Sequence, residues 1–217
     1  MVKTVRAVSW GWLVAWGLFI AYTATLAPKD DPVMTRALVK GAFTGDFGRV
    51  DPAISAVFCA LGVVPVLASS FVLRDAAARR LAGWPFALGM FVVGAFALLP
   101  WLALRGAFGQ RPAAREPGTV RRLLARRAVG ASAFVGLTAL AGWALARGHA
   151  DAYASAFGSA SIVHVMTIDL VVCAGLLMFL VEEARRTVVH EPPAAAGARL
   201  VPLLGSALWT SLVKRSP

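Results

Sequence analysis

Residues 162–181 read I-V-H-V-M-T-I-D-L-V-V-C-A-G-L-L-M-F-L-V, and the run stops abruptly at Glu182-Glu183-Ala184-Arg185-Arg186. A helix of that length, at about 1.5 Å per residue, covers the roughly 30 Å hydrocarbon core of a bilayer. Asp169 is the one charge inside the run, and the other charges gather where it ends. Working outward, similar runs occupy residues 7–26, 52–73, 84–104, 128–146 and 199–213. The expected fold is therefore an all-α integral membrane bundle of six transmembrane helices in a single domain, the sixth being short.

Composition supports this reading. Hydrophobic residues make up 59% of the 217-residue chain and charged residues 15%, with a mean hydropathy of +0.71. Soluble domains run near about 45–50% apolar and about 25% charged. The net charge of +11 could suggest nucleic acid, but the arginines sit beside apolar runs. There, basic residues orient helices and meet anionic lipid, so no nucleic-acid partner is expected. Cys59 and Cys173 both fall within apolar runs and read as small buried hydrophobes. The chain has no histidine–cysteine cluster with zinc spacing, so no metal is expected.

The flanks of each run refine the picture. Run 7–26 follows Lys3 and Arg6, as a signal peptide would, but exceeds the usual core of about 7–15 residues. It reads as a retained anchor, with Trp10, Trp12 and Trp16 as an interfacial belt. It also begins too early to leave room for a transit peptide, which favours a bacterial chain. Run 52–73 contains Pro65 and is joined to 84–104 by a short basic linker, so these two should form an antiparallel hairpin. In run 84–104, Pro85 suits a first helical turn and Pro100 should kink or end the span. Residues 119–127 read T-V-R-R-L-L-A-R-R. Arg121, Arg122, Arg126 and Arg127 around two leucines suit either a surface helix on lipid headgroups or a basic loop. In run 128–146, Thr138, Gly142 and Ala146 recur every four residues, a spacing that permits close helix contact. Run 199–213 is short for a span, and Arg199, Lys214 and Arg215 would snorkel to accommodate it. Counting Lys and Arg by side tips the orientation toward both termini outside.

Chemistry centres on Asp169. A charge within a span costs about 2.5–3.5 kcal/mol on insertion scales and normally faces a partner or a pathway. His164 lies five residues earlier, so the two side chains point about 140° apart on a helix and cannot readily share a proton or a metal. One reading makes Asp169 a proton-relay or ion-coupling carboxylate with His164 at its entrance. The other has it hydrogen-bonding across the bundle, with Ser69, Ser70 or Thr138 as candidate partners. Haem would need a second in-span histidine, and His149 and His190 lie in loops, so no cofactor is expected. The loop 28–51 carries mixed charge and reads as a solvated surface. No pair of matching interrupted helices, the usual pointer to transporter repeats, is evident.

Three stretches together resemble a known family. They are Trp84-Pro85-Phe86 leading to G-A-F-A-L-L-P-W-L-A-L-R (94–105), I-V-H-V-M-T-I-D-L (162–170) with its E-E-A-R-R, and V-P-L-L-G-S-A-L-W (201–209). The set is similar to an uncharacterised family of small multi-span membrane proteins of cyanobacteria and chloroplasts. The family reads G-P where this chain has Gly205-Ser206. The resemblance implies six spans and a bacterial cytoplasmic (inner) membrane or a photosynthetic one, and brings no activity with it. The first functional expectation is thus a non-enzymatic scaffold, assembly factor or accessory subunit, its small-residue faces packing on another membrane protein or on a second copy. A small proton-coupled transporter using Asp169 is the alternative. A membrane-embedded enzyme acting on a lipid or isoprenoid, with Asp169 as general acid, is the third.

Overall fold

The computed structural model describes every residue except 1, 30, 49, 78–80, 109–118, 125–126, 187–191, 199–200 and 214–217. Among the described residues every regular element is an α-helix: α1 Val2–Thr25, α2 Pro32–Thr44, α3 Pro52–Ala77, α4 Trp84–Val93, α5 Ala95–Arg105, α6 Thr119–Leu124, α7 Arg127–Arg147, α8 Ala150–Ser159, α9 Ser161–Arg185, α10 Pro193–Ala198 and α11 Leu204–Leu212. Three of them, α3, α7 and α9, are long and apolar enough to cross a membrane. Two segments read as loops hold helices. In 28–51, Asp31 caps α2 by accepting the Val33 and Met34 N–H groups, Pro32 opens the helix, and left-handed Gly45 closes it. In 147–160, α8 follows His149.

The directions of the long helices follow from their contacts. Gly148 at the end of α7 abuts Ala53 at the start of α3, so the two run antiparallel. Trp12 packs on Phe179 and Tyr22 on His164, which sets α1 antiparallel to α9. Asp75 of α3 and Glu183 of α9 both pair with Arg105, so α3 and α9 end together. The bundle thus has an Asp51 end, capped by α2 and α8, and an Arg105 end. A small core of Leu38, Ile54, Ala156 and Val163 fills the cap, while the main core lies between the long helices around Val64, Leu98 and Leu177.

Residues 84–104 are not the single crossing helix that their run length suggests. Gly83 rests on Ala76 and Val72 at the end of α3, so α4 enters the bundle from the Arg105 end. The chain breaks at Gly94, and α5 returns to the same end, where Arg105 meets Asp75 and Glu183. Gly89 lies against Ala97 across the fold, as an antiparallel pair requires. Each arm, at 10 and 11 residues, reaches about 15 Å, or half the hydrocarbon thickness.

Pro100 sits inside α5 rather than ending it. Lacking an N–H, it leaves the Phe96 carbonyl without its helical donor. The Trp16 indole of α1 donates to that carbonyl at 3.0 Å, the kind of rescue that makes intramembrane proline tolerable. Phe19 stacks on Phe96 at 4.2 Å, so α1 covers the proline-weakened turn. Trp16→Phe keeps an aromatic ring but removes the donor. A loss of about 1–3 kcal/mol is expected from the stranded carbonyl, read as a lower melting temperature in detergent.

Residues 199–213 differ from the expected short span in the same way. A nine-residue helix, α11, packs against the six-residue α10. Leu203 at the turn between them has φ 58°, and Gly205 lies on the Ala198 carbonyl. Gly130 at the start of α7 is in close contact with Thr210 and Ser211, so α11 also runs toward the Arg105 end. The two halves of the chain therefore share one plan. A long helix is followed by a short capping helix, a second long helix and a hairpin of two short helices: α1, α2, α3, α4–α5, then α7, α8, α9, α10–α11. The hairpin of each half packs on the first long helix of that half, α5 on α1 and α11 on α7. Because α1 and α7 point the same way, the repeats are parallel. Phe71 and Phe179, Pro85 and Pro193, Gly89 and Gly197, and Trp101 and Trp209 correspond at one constant offset. Both tryptophans are fully buried.

Candidate functional site

The break at Gly94 is held by the residue that sequence reading singles out. Gly94 has φ 49° and ψ −123°, a region open only to glycine at low cost. Its missing side chain leaves the space that the Asp169 carboxylate occupies, and any Cβ there would overlap the carboxylate oxygens. Asp169 Oδ1 accepts the Ala95 N–H at 2.8 Å, the first free donor of α5. A carboxylate at a helix N-terminus satisfies an orphan amide and opposes the positive end of the helix dipole. Asp169 is 6% exposed.

The candidate partners read from sequence do not meet it. Ser70 donates to the Leu67 carbonyl and Thr138 to the Phe134 carbonyl. Ser69 Oγ is buried without a hydrogen-bond partner among the described residues. The true partner is a backbone amide, exposed because the helix breaks. The signal for it was Gly94 in the middle of an apolar run.

A cavity of about 590 Å³ lies against this tip. Phe58, Met90, Phe91, Phe96 and Met166 supply apolar wall, Asp169 is the ionisable one among the described lining residues, and the hydroxyls of Thr35 and Ser161 sit toward the Asp51 end. Phe91 and Val92 point out of the bundle, so the cavity opens at the side of the bundle. Its volume falls in the range of about 300–1,000 Å³ usual for small-molecule sites. A second cavity, about 630 Å³, lies at the other tip, against Pro202, Leu203 and Leu204. Its α3 wall is Ala53, Ala56, Val57 and Ala60, so no acid faces the second tip from that helix.

His164 stands apart from Asp169, as their spacing requires. Its Nδ1–H donates to the Phe157 carbonyl at 3.1 Å and its Nε2 accepts from the Tyr22 hydroxyl at 2.7 Å. The ring stacks on Phe157 at 4.4 Å. With both nitrogens committed it ties α1 and α8 to α9. One residue group was missed from sequence: Arg105, 7% exposed, bonds Glu183 at 2.8 Å and lies over Trp101 at 5.0 Å. Its position at the edge of a run made it look like another flank.

The remaining candidates are surface features. Thr138, Gly142 and Ala146 face outward on α7, and no atom approaches Gly142. Close packing of α7 inside the chain uses Gly130 and Gly148 instead. Arg122 and Arg127 are exposed, and α6 gives a helix at 119–124. Arg126 and His190, and the side chain of Arg121, lie outside the described residues. At the Asp51 end, the Asp51 carboxylate accepts from Ala53 N–H at 2.8 Å and from both the backbone N–H and Nδ1–H of His149. Partial burial pushes the Asp51 carboxyl up, but the bonds from His149 and Ala53 outweigh this and hold it below its ordinary 3.8. A depressed carboxyl stabilises the fold above its unfolded value and loses that contribution as pH falls through the folded one. Melting temperature should therefore fall below about pH 4, and Asp51→Asn should flatten that acid limb in a detergent melting series.

No family model, curated protein or solved structure matches this chain.

Proposed function

We propose that the chain is a small membrane carrier with four crossing helices, α1, α3, α7 and α9, whose ligand sits in the cavity at the Gly94 tip. The observation that supports it most is the pair of short helical hairpins, α4–α5 and α10–α11, at corresponding positions of two parallel repeats. Irregular backbone at membrane depth is tolerated where it is buried in protein or lines a cavity. Interrupted helices in matching positions are the best structural pointer to a transporter's binding site. On this reading the six apolar runs are four crossings and two half-membrane hairpins. Asp169 then has two duties: one oxygen holds the tip closed, and the carboxylate is the coupling group at the cavity. The resemblance to the cyanobacterial and chloroplast family belongs to this proposal as support for a bacterial or photosynthetic membrane.

Gly62 gives a direct test. It lines the cavity and has open space where a side chain would go, so Gly62→Leu fills the site without touching Asp169. Solvent extracts of purified wild-type protein should contain about one apolar molecule per chain that Gly62→Leu protein lacks. Extracts that match and hold only bulk lipid would refute the carrier reading.

A scaffold or accessory-subunit role has one observation in its favour, the outward-facing Thr138, Gly142 and Ala146 on α7. Under that reading a stoichiometric partner co-purifies in mild detergent, and Gly142→Leu releases it.

A further inference from the structure

Resting on the carrier reading, we infer that the cavity at the Gly94 tip takes a lipophilic amine, its ammonium against Asp169 and its apolar body toward the Asp51 end. Charge comes first. Asp169 spends Oδ1 on Ala95, the one hydrogen bond its carboxylate receives among the described residues, although a carboxylate can accept about four. Among the described residues no lysine, arginine or histidine lines the cavity. The N-terminus of α5 offsets about half a unit of charge, and the remainder has no counter-ion among the described residues of the site. A buried carboxylate is stable when paired, and an ammonium supplies both the missing charge and the missing donors.

The walls fit the same chemistry. Phe58, Phe91 and Phe96 line the cavity, and aromatic faces attract a desolvated cation within about 6 Å. Along α9 the lining runs from Ser161 to Asp169, about 12 Å at helical rise, which sets the length of the apolar body. The sideways opening at Phe91 and Val92 admits a molecule already dissolved in the bilayer. The second cavity provides an internal comparison. It has similar volume and also lies at a hairpin tip, but its α3 wall is alanine and valine, and no acid is among its described lining residues. It suits a neutral hydrocarbon, so the amine selectivity belongs to the first tip alone.

The test uses the full chain in detergent, with dodecylamine and dodecanol as matched probes and native mass spectrometry as the readout. Wild type should bind one dodecylamine saturably and at least tenfold more tightly than dodecanol. Asp169→Asn keeps a carbonyl oxygen for Ala95, so the tip stays capped, and it should weaken the amine at least tenfold while leaving dodecanol within twofold. Gly62→Leu should exclude both probes from the first cavity. If amine and alcohol bind wild type alike, or Asp169→Asn leaves the amine within twofold, the ligand class is overturned. Should Gly62→Leu still exclude both probes in that case, the cavity is a site for acyl chains and the carrier reading survives. No saturable binding of either probe to wild type overturns both. If Asp169→Asn does not fold, the amine–alcohol contrast on wild type and on Gly62→Leu decides the matter.

Discussion

Gly94→Ala should leave little folded protein. Two costs combine at this position. An alanine at φ 49° and ψ −123° occupies a region that costs a residue with a side chain about 1–3 kcal/mol. The new Cβ also overlaps the carboxylate of Asp169, which must then leave the Ala95 N–H. That move strands a buried amide and a buried acid together, adding about 1–3 kcal/mol for each unsatisfied group. A sum of roughly 4 kcal/mol or more is a large part of the 5–15 kcal/mol that a typical domain has. The measurement is the monodisperse fraction and melting temperature in detergent. Gly175→Ala is the control, because Gly175 lies in α9 with no atom near the position of a Cβ and should be neutral or slightly stabilising. Equal melting of Gly94→Ala and wild type would mean that the tip does not depend on Asp169.

This expectation also shows where sequence reading stopped. Long apolar runs bounded by charge identify a membrane chain, and α3, α7 and α9 were legible for that reason. Run 84–104 was equally long, but run length reports how many residues lipid can accept and says nothing about where they turn. A crossing helix and two half-membrane arms have the same composition. What separated them was Gly94, and a glycine inside an apolar run more often marks helix packing. The pairing of Phe71 with Phe179, Pro85 with Pro193 and Trp101 with Trp209 was the readable signal. A search for internal repeats at half the chain length would have found it. It would also have set 199–213 beside 84–104 as the second hairpin.

Asp169 was legible as the charge needing a partner, while the partner was not. Side chains are the natural candidates when helices are assumed continuous, because a continuous helix has no spare amides in its middle. Once the helix breaks, four N–H groups at the new terminus become available, and a backbone amide outcompetes any serine at a distance. His164 followed the opposite course. Spacing alone set it apart from Asp169, and its hydrogen-bond partners are Tyr22 and the Phe157 carbonyl. His164 and Asp169 of α9 therefore do separate work, one at the capped end and one at the hairpin tip.

The tip is held from one side by Asp169, and the other end of α5 is held by Arg105, which makes Arg105→Met the second large effect. The guanidinium bonds Glu183 at 2.8 Å, lies 3.7 Å from Asp75, and is flanked by the Trp101 and Phe179 rings at 5.0 and 5.8 Å. Breaking a fully buried ion pair costs about 3–5 kcal/mol, because the abandoned charge has no solvent. Here Glu183 is 45% exposed and Asp75 25%, so both carboxylates can rehydrate and the cost falls below that range. Methionine retains much of the side-chain volume but loses the ring contacts, which are worth about 0.5–2 kcal/mol. A net loss of about 2–3 kcal/mol is expected. Arg105→Lys keeps the charge and should lose about 1 kcal/mol, since an ammonium cannot lie flat between two rings. The decisive comparison is Arg105→Met with Glu183→Gln in the same chain. If stranded charge dominates, the second change restores part of the stability, and if ring contact dominates, it restores none. A single Arg105→Met as stable as wild type would remove both accounts and leave α5 anchored at its tip alone.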